Sequence, residues 1–217
     1  VLGDVRGIFG ARPALFEAQM AALAQAVNDG DARVTGVSAQ PPGDRQLQVA
    51  ITFDDGYADN LRVAIPILER YGFPCAVFAV SEFVRDGAAP FLSSPELREL
   101  ATRPRVIIGA HGATHVALTQ CDDRTLENEL VSSKHSLEDM LGKPVTAMAY
   151  PYGAVDRRVR AVLADIGYPL LDHGKSKGGS GPDNQEPISR DQQPGTVNRE
   201  PDLVILHAHN LAAWQYA

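Results

Sequence analysis

Two carboxylates stand side by side in "QVAITFDDGYADN" (48–60): Asp54 and Asp55 follow an apolar run and precede Gly56. Further along, "GAHGATH" (109–115) places His111 and His115 four residues apart, a spacing that lets two imidazoles face the same way if a helical turn follows. "AYPYG" (149–153) and "DLVILHA" (202–208) add Tyr152 and His207. One aspartate and two histidines make an anionic-plus-neutral donor set for a divalent cation, with coordination positions left for water and substrate. A cation held there lowers the pKa of bound water toward about 7, and a second carboxylate can take the proton as that water attacks. The adjacent pair can then divide the work, one aspartate on the ion and its neighbour as base, with the ion relieving their repulsion. The pattern reads as a hydrolytic metal site.

Each feature also has an ordinary reading. A lone histidine at a strand end is more often a hydrogen-bonded surface residue than a ligand, and the H-x-H of His207 and His209 is weak by itself. Asp59 reads as the N-cap of the following helix, His135 as a solvated helix face, and His173 as the start of a polar loop. Other chemistries drop out. "GGSGP" (178–182) fails the G-x-S-x-G pattern of a nucleophile elbow, and "GKS" (174–176) lacks the upstream glycine of a phosphate-binding loop.

These residues need elements to position them. "LQVAITF" (47–53), "PCAVFAV" (74–80), "RVIIGA" (105–110), "VTAMAY" (145–150), "YPLL" (168–171) and "DLVILHA" (202–208) are short, mostly rich in Val and Ile, and do not alternate in polarity, as buried parallel strands do. Helical spacing predicts helices over 14–27, 59–72, 94–103, 122–142 and 155–167, with Gly72, Gly142 and Gly167 at left-handed C-terminal caps and a kink at Pro66. The segment 174–187 reads as a loop. Alternating strands and helices imply right-handed βαβ units, in an open doubly wound sheet or a β/α barrel. In either, side chains that do chemistry gather where strands end at their carboxyl edge, which is where Asp54, Asp55, His111, Tyr152 and His207 fall.

The bulk properties agree. With 217 residues and 44% hydrophobic content, a single domain over 1–217 is expected, its motif-bearing core at 48–209 behind an N-terminal extension at 1–46. A net charge of −7 without a Lys/Arg block argues against nucleic acid as a partner. The chain as given contains no apolar run long enough to cross a bilayer and no signal-peptide pattern at Val1. Cys75 reads as a small core residue and Cys121 as part of a polar turn, which leaves the redox compartment open.

Together, "TFDDGY" (52–57), "HGATH" (111–115), "AYPYG" (149–153) and "ILH" (205–207), in this order, resemble the signature motifs of the polysaccharide deacetylases of carbohydrate esterase family 4, the NodB homology domain. The resemblance spans roughly residues 48 to 207. It implies an α/β fold, a distorted (β/α) barrel of about seven parallel strands. It implies Asp54 as general base, Asp55, His111 and His115 as ligands of one divalent metal, zinc first with cobalt or nickel as alternatives, and His207 as general acid. Tyr152 would offer its backbone N–H to the oxyanion, and Ile205 would line the pocket of the acetyl methyl group. The implied substrate is an N-acetylated glycan, and the implied location is the cell envelope or the exterior. The chain departs from the family pattern in one place: an arginine common shortly before the Pro-Tyr pair is replaced by Ala149 and Tyr150, and Arg190 in "PISRD" is the candidate substitute. The alternatives are O-deacetylation of acetylxylan, hydrolysis of ring amides or imides by a relative of the same fold, and a catalytically silent carbohydrate-binding domain.

Overall fold

The computed structural model describes residues 12–37 and 47–168, together with the backbone of 203–207. Five strands form one sheet: β1 (Ala32–Thr35), β2 (Leu47–Phe53), β3 (Cys75–Ala79), β4 (Val106–Ala110) and β5 (Leu203–His207). Every pairing is parallel. β2 is the hub: residues 47–50 pair with β1, Thr52 and Phe53 with Ala76 and Val77 of β3, and 48–52 with β5. Six of the seven residues of β2 and all of β3 are buried, which is why these segments read as unbroken apolar runs rather than alternating ones.

The helices are α1 (Pro13–Asn28), α2 (Ile65–Tyr71), α3 (Ser81–Asp86), α4 (Ser94–Leu100), α5 (Asp123–Leu141) and α6 (Arg157–Asp165). α1 packs on α2, and α5 packs on α3, α4 and α6. Phe53, Ile51 and Val77 from the sheet meet Leu126, Leu130 and Leu137 of α5 in one core. Local chemistry sets the boundaries. Asp122 and Asp156 accept from the N–H groups of Thr125 at 2.7 Å and Val159 at 2.8 Å, opening α5 and α6. Gly72 and Gly142 close α2 and α5 in the left-handed conformation, at φ 67° and 66°. The single helix expected over 59–72 is divided near Pro66: a π-helical stretch, Asn60–Ala64, in which the N–H of Ile65 donates to the carbonyl of Asn60, precedes α2.

Several expectations are corrected. The segment 145–150 is not a strand; it makes a single parallel bridge, Met148 to Ala110. Its first residue is already committed to α5, since the N–H of Val145 donates to Glu138 at 2.9 Å and its carbonyl accepts from Lys134 at 2.7 Å. Asp59 sits inside the first helical turn, 5% exposed, and makes no capping hydrogen bond with its side chain. β1 and α3 went unpredicted. Of the strand expected at 168–171 only Tyr168 lies among the described residues, where it is not in a strand; Arg190, His173, His209 and the loop 174–187 lie outside them.

Burial accounts for the cysteines. Cys75 is 2% exposed and its thiol is pushed up to about 12, chiefly by desolvation, as suits an inert core residue.

Candidate metal centre

The turn after β2 carries the aspartates out of the core. Gly56, at φ 77°, adopts a backbone that L side chains rarely take, and an added Cβ would sit tightly, 3.1 Å from the Cβ of Ala79, so glycine is favoured. A strap at 90–92 fixes the turn: Ala58 donates to the Pro90 carbonyl at 2.9 Å, and Leu92 to the Gly56 carbonyl at 2.8 Å. The turn after β4 holds the histidines. His111 donates its backbone N–H to the Ala79 carbonyl at 2.9 Å, tying this turn to the end of β3.

These two turns bring Asp55, His111 and His115 together, with candidate ligand atoms all within 4.8 Å of one another. The Oδ1 atom of Asp55 lies 3.6 Å from Nε2 of His111 and 3.2 Å from Nε2 of His115. That oxygen is buried and, among the described residues, has no hydrogen-bond partner, an arrangement that a cation among the three groups would relieve. The donor chemistry fits as well: two imidazoles and a carboxylate suit zinc or a neighbouring transition metal. His111 is 3% exposed, and its Nδ1–H donates to the Ala149 carbonyl at 3.0 Å, which leaves Nε2 as the free lone pair. Desolvation by burial holds His111 below the ordinary histidine range despite the opposing pull of Asp54, which favours the neutral form a metal requires. Asp54, 8% exposed, stands next to this cluster and not within it.

Backbone strain gathers at the same place. Four non-glycine residues among those described have positive φ, and three of them are Asp55 (69°), His115 (64°) and Tyr152 (60°). Such conformations cost an L-residue about 1–2 kcal/mol each and persist where the surroundings impose them. Tyr152 lies in the turn Pro151–Gly153, 73% exposed, with its ring centroid 4.7 Å from that of His115. The His115 ring also lies 6.4 Å from that of Phe83, which stacks at 4.3 Å on Phe91, itself 4.9 Å from Tyr57.

The register of β5 places position 207 beside Thr52, two residues before Asp54, and position 205 beside Ala50. The backbone therefore delivers both positions to strands that end at this rim. Ala149, at the point where the family arginine is missing, contributes through its backbone, which accepts from His111 and donates to the Ala110 carbonyl at 3.0 Å. Sequence reasoning missed Glu129, whose carboxylate holds the histidine turn from α5; its one local signal is a charge on the stripe of Leu126, Leu130 and Leu137.

With this geometry in hand, comparison with known proteins is informative. The polysaccharide deacetylase family matches residues 43–171 of the chain. YxkH of Bacillus subtilis is 28% identical over 122 residues, covering 56% of this chain and 43% of YxkH. The peptidoglycan-N-acetylglucosamine deacetylase PgdA of Listeria monocytogenes is 26% identical over 132 residues, covering 60% of this chain and 26% of PgdA. The chain thus spans less than half the length of these curated relatives. Among solved structures, the Streptococcus pyogenes deacetylase PplD, determined with acetate, superposes with a TM-score of 0.64 at 22% identity, covering 77% of this chain and 76% of that one. That likeness fixes the fold class as the distorted, parallel-stranded β/α barrel. From the family match over more than half its length, the chain belongs to the polysaccharide deacetylases, carbohydrate esterase family 4.

Proposed function

We propose that this protein removes N-acetyl groups from an N-acetylhexosamine-containing glycan of the cell envelope or exterior, by metal-assisted hydrolysis of the amide. The observation that carries the reading is the convergence of the buried Asp55 oxygen with Nε2 of His111 and of His115, beside a separate, buried carboxylate. Asp55, His111 and His115 would hold one divalent ion, zinc or else cobalt or nickel, and when bound it supplies Lewis acidity toward water and acyl oxygen. The chain does the rest. Asp54 accepts a proton from the attacking water, and the backbone N–H of Tyr152 donates to the oxygen that gains charge. His207 gives a proton to the departing amine as the C–N bond breaks, so that acetate and a free amine leave. Ile205 packs against the acetyl methyl, and Arg190 steadies Asp54 in place of the arginine missing near Ala149.

PgdA is named for peptidoglycan N-acetylglucosamine, which supports an N-acetylated glycan over acetylxylan. The retained Asp-His-His set weighs against a ring-imide hydrolase, and the neighbouring Asp54 weighs against a silent binding domain, which needs no base.

The test uses three substrates with added zinc: an N-acetylglucosamine tetramer, an aryl acetate and a cyclic imide. Wild type should release acetate from the first two and leave the imide closed. His207→Ala should lose the amide and spare the aryl ester, because a phenolate departs without a proton and an amine does not. Equal loss on amide and ester removes His207 as the acid. Imide opening without acetate release overturns the deacetylase reading.

A further inference from the structure

Glu129 takes no part in the chemistry proposed above, yet it is a carboxylate only 3% exposed on the core-facing side of α5, where Leu126, Leu130, Ser133 and Leu137 are its buried companions. An apolar side chain would suit that stripe better. What the carboxylate does is close three hydrogen bonds to one loop. Its Oε2 accepts from the N–H groups of Ala113 at 2.8 Å and Thr114 at 3.0 Å, and its Oε1 accepts from the Thr114 hydroxyl. The loop's other face is occupied too: the carbonyls of Gly112 and Ala113 accept from Ser81 at 3.2 Å and Glu82 at 3.1 Å, in the first turn of α3. Gly112, at φ 79°, takes a conformation that favours glycine, and a Cβ there would sit tightly, 3.2 Å from Oε2 of Glu129.

The residue that leaves this clamped loop is His115, in the left-handed conformation. The two histidines are oriented by different means. The His111 ring is held directly, through Nδ1–H to the Ala149 carbonyl. Among the described residues, no hydrogen bond reaches the His115 ring. Its Nε2 comes to 3.2 Å from Asp55 because the backbone beneath it is pinned from both faces.

We propose that Glu129 is a positioning residue for the metal centre, acting through the backbone of Ala113 and Thr114 to fix the imidazole of His115 against Asp55. This rests on the metal-site reading above. Side chains that orient a ligand from outside the coordination sphere typically change metal affinity by about 10- to 100-fold when removed.

Three variants separate positioning from bulk stability: Glu129→Leu, Glu129→Gln and Thr114→Val. Zinc affinity is measured by competition with a chromophoric chelator, and the melting temperature of the metal-free protein is measured alongside. Glu129→Leu should bind zinc about 10- to 100-fold more weakly. Glu129→Gln should recover most of that loss, because its amide oxygen still accepts from both N–H groups and its NH₂ donates to the Thr114 hydroxyl oxygen. Thr114→Val should show a smaller loss of affinity. Wild-type zinc affinity in a folded Glu129→Leu, even with a lowered melting temperature, overturns the positioning role alone. If Glu129→Leu does not fold, unchanged affinity in Thr114→Val overturns it. A wild type that binds no zinc overturns the metal-site reading and this role together.

Discussion

Asp54 and Asp55 are neighbours in sequence and occupy different surroundings. Asp55 has left the strand, with φ 69°, and directs one oxygen toward two imidazoles; Asp54 remains at the end of β2, buried beside them. In the proposed function that asymmetry gives the ion to Asp55 and the proton to Asp54. Asp54→Asn should therefore keep its metal and lose about 10²–10⁴-fold in turnover, because an amide cannot accept the proton of water. Metal analysis and acetate release on the same sample check this, and a metal-loaded variant near wild-type activity would show that another group is the base. The residues of this cluster were legible in sequence because each motif is short, and strand ends announce where its side chains emerge. Glu129 was not, because it meets the turn at 113–114 only after α5 has folded back across it. Nor could spacing alone reveal that Ala149, absent its arginine, still serves the site through a carbonyl.

At the scale of elements, the strap that holds Gly56 runs directly into α4, so the start of that helix matters to the site. Ser93 donates its N–H and hydroxyl to Glu96 at 2.9 Å and 2.7 Å, as in a capping box, and Arg62 pairs with the same carboxylate. The Ser93 N–H is the main cause that holds Glu96 below the ordinary carboxylate range. A depressed folded value means stability that is present above the unfolded pKa and lost as pH falls through the folded one. Glu96→Ala should thus cost about 1 kcal/mol near neutral pH, and the difference from wild type should shrink as the pH is taken below about 4. Urea unfolding of both proteins at the two pH values measures it; an undiminished difference in acid would contradict the linkage. The long helices and the strands β2, β3, β4 and β5 were read correctly because periodicity, composition and caps are local signals. β1 spans four residues and α3 six, too short for a period, and α3 is anchored by the loop carbonyls of Gly112 and Ala113. The segment 145–150 misled for the opposite reason: its composition suits a strand, yet Glu138 and Lys134 take both backbone groups of Val145.

For the whole molecule, the parallel register of β2, β3 and β4 carries the carboxyl ends of separate strands to one rim, and β5 brings position 207 alongside Thr52. The alternation of strand and helix made a parallel α/β sheet legible and the motif resemblance pointed to the barrel, while the pairing of β5 with β2 joins distant parts of the chain and leaves no local trace. The proposed function reduces to a single dependence, that hydrolysis would need one ion held by Asp55, His111 and His115. The most direct measurement is a zinc titration of chelator-stripped protein, read as acetate released from an N-acetylglucosamine tetramer. Acetate release should be absent without metal, rise in proportion to added zinc, and level off at one equivalent per chain. Full acetate release by protein shown to be free of metal, or none at any zinc concentration, would contradict the account.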